Sequence, residues 1–182
     1  PNVRTVQLSD RVLFEPEDRG EVELKGETLV LLRERDIHAV AAARVENHAR
    51  GGRSTKSFLR EGRWDSVARK IAPGDFVLIQ FGHNDEKIAD TNRYAAPETA
   101  YRENLTRFVR ETRSRGGMPV LLTPVARRKF SGGMPVATHG RYSAVVKEVG
   151  EAERAPVLDL DSLTRALIAQ SGEEESKGLF LW

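Results

Sequence analysis

A chain of 182 residues, 39% hydrophobic and 31% charged, has the size and composition of one globular domain and excludes a disordered polypeptide. Lys+Arg at 29 against Asp+Glu at 27 leave a net charge of +2, too balanced to argue for nucleic acid as a partner. Cysteine is absent, which excludes disulfides and thiolate metal sites, and no apolar run approaches the ~20 residues of a membrane span.

The first 43 residues form a segment of their own. Val3 to Leu8 alternates weakly, Glu21 to Leu24 alternates better, and Thr28 to Leu32 is a short apolar run, with Gly20 and Gly26 as punctuation. A small antiparallel meander fits this pattern, as do two strands and a helix ending near Ala43. The chain opens on Pro1 and not Met, so a secreted and a cytoplasmic location both stay open.

From Arg44 the pattern sharpens. Arg44-Val45-Glu46-Asn47 reads as a strand end that runs into Gly51-Gly52, a tight turn followed by the cap candidates Ser54 and Thr55 and a short helix through Phe58 and Leu59. Trp64, Val67, Ala68 and Ile71 form a second helical stripe, with Trp64 expected in the core. Pro73-Gly74 marks a turn, and Phe76-Val77-Leu78-Ile79 is a continuous β-prone run, expected as a strand buried on both faces. Gly82-His83-Asn84-Asp85 stands where that strand ends.

Pro97 to Arg115 is the clearest helix, with Tyr101, Leu105, Phe108, Val109 and Thr112 on one face and Gly116-Gly117 at its end. Pro119 to Thr123 predicts a second buried strand and Lys129 to Val136 a surface hairpin with Ser131-Gly132-Gly133 at its tip. Tyr142, Val145, Val146 and Val149 define another helix, Val157-Leu158 a third buried strand, and Asp161-Ser162 the cap of a last helix. Strands alternating with helices over short links imply right-handed crossovers. The expected fold is α/β: a three-layer α/β/α sandwich with a parallel sheet, flavodoxin-like, over residues 44–182.

In such a sheet ligands bind beyond the carboxyl ends of the strands. Gly52 and Asn84 each lie just past a predicted strand, in loops that a parallel sheet sets side by side. A glycine N–H and an asparagine amide are donors suited to a developing oxyanion. They would serve acyl transfer given a nucleophile, a base and an orienting acid.

The segments Arg44-Val-Glu-Asn-His-Ala-Arg-Gly-Gly-Arg-Ser-Thr-Lys-Ser-Phe-Leu59, Pro73 to Asp85 and Thr138-His-Gly-Arg-Tyr142 resemble the SGNH (GDSL-type) hydrolases, and within them the rhamnogalacturonan acetylesterases, over roughly residues 44–182. The resemblance implies a serine esterase that removes acetyl groups from pectic polysaccharide, without metal or other cofactor. Its substrate would be an acetylated polysaccharide or another small ester, and neither nucleic acid nor membrane would be a partner. It places Gly52 and Asn84 in the oxyanion hole, with the nucleophilic serine's own N–H as third donor.

The departures are specific. No Gly-Asp-Ser occurs in the chain; Ser9, the one serine before Gly52, lacks the glycine that permits a sharp nucleophile turn. No Asp is followed three residues later by His, so base and acid are not identified. Residues 1–43 are read as an extension or a degenerate first block, and the fold as incomplete at its C-terminal end. Of the histidines, His83 beside Asn84 is expected to support the site without carrying the chemistry. His38, His48 and His139 are poor stand-in bases, and His83 with Asp85 makes only a weak metal suggestion. Arg127-Arg128-Lys129 is a solvated face that could meet an acidic chain. Two readings stand: an O-acetylesterase inactive as it is, or a non-catalytic binding or scaffold protein on the same fold. A nucleotide binder is distant, since the Gly51-Gly52 turn lacks a phosphate-loop lysine.

Overall fold

Gly51-Gly52 turns the chain with Gly52 in the left-handed region, at φ +76°, and Ser54 then starts a helix by reciprocal capping. The Ser54 hydroxyl accepts from Ser57 N at 3.1 Å while Ser57 Oγ accepts from Ser54 N at 2.9 Å. The computed structural model that shows this describes residues 45–180 and, before them, the backbone of four short strands. Contacts divide the chain into two units, Pro1–His48 and Ala49–Trp182.

In the first unit, β1 (Arg11–Leu13) pairs antiparallel with β4 (Ala39–Ala41), and β2 (Gly20–Leu24) with β3 (Glu27–Leu31). The second pair is a hairpin of the antiparallel kind anticipated for Glu21 to Leu32. The readings at Val3 to Leu8, at Ser9 and near Ala43 fall outside the described residues. The strand end anticipated at Arg44 to Asn47 is corrected from Val45 on: residues 45–50 have no regular structure, and Val45 is 87% exposed. A lone valine among charged and polar neighbours has no apolar face to bury.

In the second unit, α1 (Thr55–Arg60) and α2 (Arg63–Ala68) lead to β5 (Phe76–Gln80). A single π-type turn (Pro97–Tyr101) opens α3 (Arg102–Ser114), which returns the chain to β6 (Met118–Leu122). The hairpin β7 (Phe130–Ser131) and β8 (Met134–Pro135) precedes α4 (Arg141–Glu153), β9 (Val157–Leu158) and α5 (Leu160–Glu175). The cap of α5 is Asp159, two residues before the pair expected, and the helix is broken at Gly172. A short 3₁₀ turn (Ser176–Leu179) follows.

β5, β6 and β9 form one parallel sheet in that order, with Ile79 opposite Leu121 and Leu121 opposite Val157. Those residues face the core beneath α3 and α4. Trp64 stacks on Phe108 at 4.4 Å between centroids, Phe81 closes on Phe108 at 5.5 Å, and Tyr101 meets Tyr142 edge-on at 5.0 Å. Trp64 is a core residue as expected, and its indole donates to Glu111 Oε2 at 2.7 Å. At Gly150 helix α4 lies so close to β9 that a Cβ would stand 2.1 Å from Val157 Cγ2. That distance explains a glycine in mid-helix.

The alternation of strand and helix thus gives the α/β fold with a parallel sheet that it implies. Burial differs. Phe76 and Leu78, expected under cover on both sides, are 63% and 66% exposed, and Leu158 in the third strand is 47% exposed. The register puts Phe76 beside Met118 and Leu78 beside Val120, on the sheet face opposite α3 and α4. An unalternating run of apolar residues prepares a strand for two packed faces, but α5 packs against β8 and leaves Leu163 and Leu167 exposed. A contiguous apolar surface of this kind binds hydrophobic dyes and drives association. The chain is therefore expected to enhance 1-anilinonaphthalene-8-sulfonate fluorescence and to self-associate, and Phe76→Ser with Leu78→Lys to reduce both. Unchanged dye binding in the double variant would place the exposed surface elsewhere.

Candidate active site

β5 delivers its last residues to the carboxyl edge of the sheet, and the loop that follows meets the Gly52 turn there. Asn84 Nδ2 donates to the Arg53 carbonyl at 3.2 Å, and Asn84 Oδ1 accepts from Arg93 at 3.5 Å. The two loops singled out by sequence therefore lie together. One amide hydrogen of Asn84 is engaged on Arg53, which leaves the second for another acceptor. Nothing crowds the Gly52 turn: a Cβ built there would have no atom within 4 Å.

The next residue, Asp85, is fully buried. Its Oδ1 accepts from Thr55 N at 2.9 Å and from Thr55 Oγ1 at 2.5 Å, while Oδ2 has no hydrogen-bond partner among the described residues. Thr55 Oγ1 in turn accepts from Asn104 Nδ2 of α3 at 3.0 Å. The backbone of Asp85 is held as firmly: its carbonyl accepts from Ala95 N at 3.0 Å and lies 3.1 Å from the Tyr142 hydroxyl. Burial pushes the carboxyl up to about 7, against the hydroxyl and amide of Thr55, which favour the charged form.

His83 sits on the other side of Asn84, edge-on to His139 with 4.3 Å between ring centroids. His139 is buried: Nε2 donates to the Val125 carbonyl at 2.7 Å, and Nδ1 is 3.3 Å from Glu86 Oε1. Burial first, then the neighbouring His139 and Arg127, lower His83 to about 4. At neutral pH His83 is an uncharged imidazole. The Asp85 carboxylate turns to Thr55, and no group of three or more His, Cys, Asp or Glu among the described residues is arranged to hold a metal.

The basic run near this edge is not a free patch. Arg127 pairs with Glu86 and donates to the Thr138 carbonyl, and Arg128 donates to Ser176 Oγ and to the Glu173 carbonyl. His48 lies 3.3 Å from Glu46, and Ser9 and His38 are outside the described residues. Thr55, Asn104 and Tyr142 were not anticipated in the site. Thr55 stands three residues past Gly52 and was legible only as a cap candidate, and the other two lie on core-facing helices far along the chain.

A parallel sheet whose carboxyl edge brings an asparagine side chain against a glycine turn has the architecture of an SGNH-type hydrolase. The chain belongs to the GDSL-like Lipase/Acylhydrolase family, which it matches over residues 31–180, a stretch that reaches upstream of Arg44. It is 42% identical over 139 residues to the rhamnogalacturonan acetylesterase RhgT of Bacillus subtilis, covering 76% of this chain and 58% of RhgT. It is 33% identical over 144 residues to the probable rhamnogalacturonan acetylesterase YesY of the same organism, covering 79% of this chain and 66% of YesY. The crystal structure of B. subtilis YxiM superposes with a TM-score of 0.69 at 26% identity, over 76% of this chain and 38% of YxiM. Axe2, an acetyl-xylooligosaccharide esterase of Geobacillus stearothermophilus, shares the fold with a TM-score of 0.51 at 20% identity, over 64% of this chain and 54% of Axe2. The chain spans a little over half the length of RhgT.

Proposed function

We propose that this chain carries the oxyanion-binding part of a carbohydrate O-acetylesterase, acting on acetyl groups of a pectic polysaccharide, with Gly52 N–H and the Asn84 amide as donors. The observation that carries the reading is the meeting of the two loops, in which Asn84 Nδ2 rests on the carbonyl of Arg53, the residue after Gly52. An acyl-transfer transition state gathers negative charge on the former carbonyl oxygen, and fixed N–H dipoles stabilise that charge most. The acetylesterase names of RhgT and YesY support the substrate class. His83, neutral and packed on His139, sets no positive charge beside the oxyanion and serves to hold the loop.

Donors alone do not cleave an ester. The described serine next to the Gly52 turn, Ser54, is fully buried and committed to the cap of α1, and the sequence holds no Asp-x-x-His. These 182 residues are therefore expected to release no acetate from acetylated pectin or p-nitrophenyl acetate above a buffer control. Robust turnover that disappears in Ser9→Ala would overturn this and place the nucleophile in the first unit. A non-catalytic binding protein is the second reading, favoured by the lack of Gly-Asp-Ser anywhere in the sequence. The coding sequence on either side of this chain separates the two: flanking Gly-Asp-Ser and Asp-x-x-His blocks belong to the enzyme, whereas a start and a stop without them belong to the binding protein.

A further inference from the structure

Two neighbours in one loop, Asn84 and Asp85, grip two near-neighbours in the other, Arg53 and Thr55. Asn84 makes a single bond to a carbonyl on a partly open edge. Asp85 makes two, both fully buried. Burying a carboxyl with one oxygen unpartnered is costly, and a threonine hydroxyl alone would not require it. We propose that Asp85 is the positioning residue of this site: its Oδ1 clasps the amide and hydroxyl of Thr55 and so fixes the Gly52 turn against the Asn84 side chain. The inference rests on the reading of Gly52 and Asn84 as oxyanion donors.

The clasp is anchored from three sides. Asn104 donates to Thr55 Oγ1 at 3.0 Å, so the hydroxyl proton is left to Asp85. Ala95 N donates to the Asp85 carbonyl, and the single proton of the Tyr142 hydroxyl is shared between that carbonyl at 3.1 Å and the Ala95 carbonyl at 2.9 Å. Thr55 is also the first residue of α1, and the cap residue before it, Ser54, is fully buried, so the turn cannot shift without the helix. The backbone N–H groups of Gly82 and of Asp85 itself also favour the charged carboxyl, the Tyr101 and Tyr142 rings lie within its electrostatic reach, and His83 and Glu86 flank it in its own loop. Oxyanion donors act only when set to within a few tenths of an ångström of their target. A bond from the residue next to Asn84 to the residue three past Gly52 fixes both donors with one side chain.

Amide NMR of this chain tests the clasp without any need for turnover. In Asp85→Ala the Gly52 and Arg53 amides and the Asn84 side-chain amide should all shift, and the Thr55 amide should exchange with solvent faster by about tenfold or more, the scale for losing a hydrogen bond to a carboxylate. Asp85→Asn, which keeps Oδ1 as acceptor, should restore the Gly52 and Asn84 positions but abolish the pH titration of the Thr55 amide. Core amides at Phe108 and Leu121 should stay in place in both, which a merely destabilised fold would not show. Thr55→Val, which removes the hydroxyl and leaves the amide, should give smaller shifts at the same signals and serves where Asp85→Ala does not fold. Gly52 and Asn84 signals that stay unmoved in Asp85→Ala, or in Thr55→Val where that variant alone folds, would overturn the proposal. Failure of the donor reading would look different: the clasp signature would persist in this chain while Asn84→Ala left kcat unchanged in a protein completed with the Gly-Asp-Ser and Asp-x-x-His blocks of a relative.

Discussion

Asn84→Ala lowers kcat by about 10²–10³, or ~3–4 kcal/mol, in a protein completed with the Gly-Asp-Ser and Asp-x-x-His blocks of a relative, because that is the scale for removing one oxyanion-hole donor. KM changes little, since the donor meets charge that exists only in the transition state. Asn84→Asp is at least as damaging, as a carboxylate puts like charge beside the oxyanion. His83→Ala costs less: the imidazole is uncharged at neutral pH and its visible contact is the ring of His139. Steady-state kinetics on p-nitrophenyl acetate separate these effects. Near-normal kcat in Asn84→Ala with loss of activity in His83→Ala would assign the chemistry to histidine.

Removing the Asp85 charge reshapes the dependence of stability on pH. The folded carboxyl titrates at about 7 against an ordinary value of 3.8, so between those values the folded chain binds the proton more tightly than the unfolded one. Its contribution is full below 3.8 and is lost as pH rises through about 7. At 1.36 kcal/mol per pH unit the loss is on the order of 4 kcal/mol. His83 works in the opposite sense. Its folded value of about 4 lies below the ordinary 6.5, so stability is gained as pH rises across that window. The two slopes oppose one another from pH 4 to 6.5, and Asp85 alone falls above it. Denaturant unfolding of Asp85→Asn from pH 4 to 8 should therefore show stability rising to about pH 6.5 and then level. The variant gains steadily on the parent chain up to about pH 7 and no further above it. Parallel profiles for the two proteins would mean that Asp85 ionises in the fold as it does in water.

The sheet and the helix order were legible because Phe76 to Ile79, Val120 to Leu122 and the one-face stripe from Tyr101 to Thr112 carry strong periodic signals. The neighbourhood of the Gly52 and Asn84 loops is expected from two adjacent parallel strands, but residues 45–50 before the Gly52 turn form no strand, and the loops meet instead through the Asn84 amide on the Arg53 carbonyl. What the pattern could not convey was occupancy. An apolar run announces that a strand suits two packed faces, not that anything packs on the second, and so the exposure of Phe76 and Leu78 came from the structure alone. Val45 misled for the reverse reason, as one β-branched residue before a polar stretch resembles the end of a strand. The clasp was invisible because Asp85, Thr55, Asn104 and Tyr142 are scattered over 88 positions. Their types suit caps and core contacts as well as they suit a site.

The measurement that bears most directly on the donor assignment is a crystal structure of the completed protein inactivated by a p-nitrophenyl alkylphosphonate, whose phosphoryl oxygen stands where the oxyanion forms. That oxygen should lie about 2.7–3.1 Å from both Gly52 N and Asn84 Nδ2, the range for oxyanion-hole donors. A phosphoryl oxygen turned away from both, and held instead by the His83 ring or by solvent, would contradict the assignment.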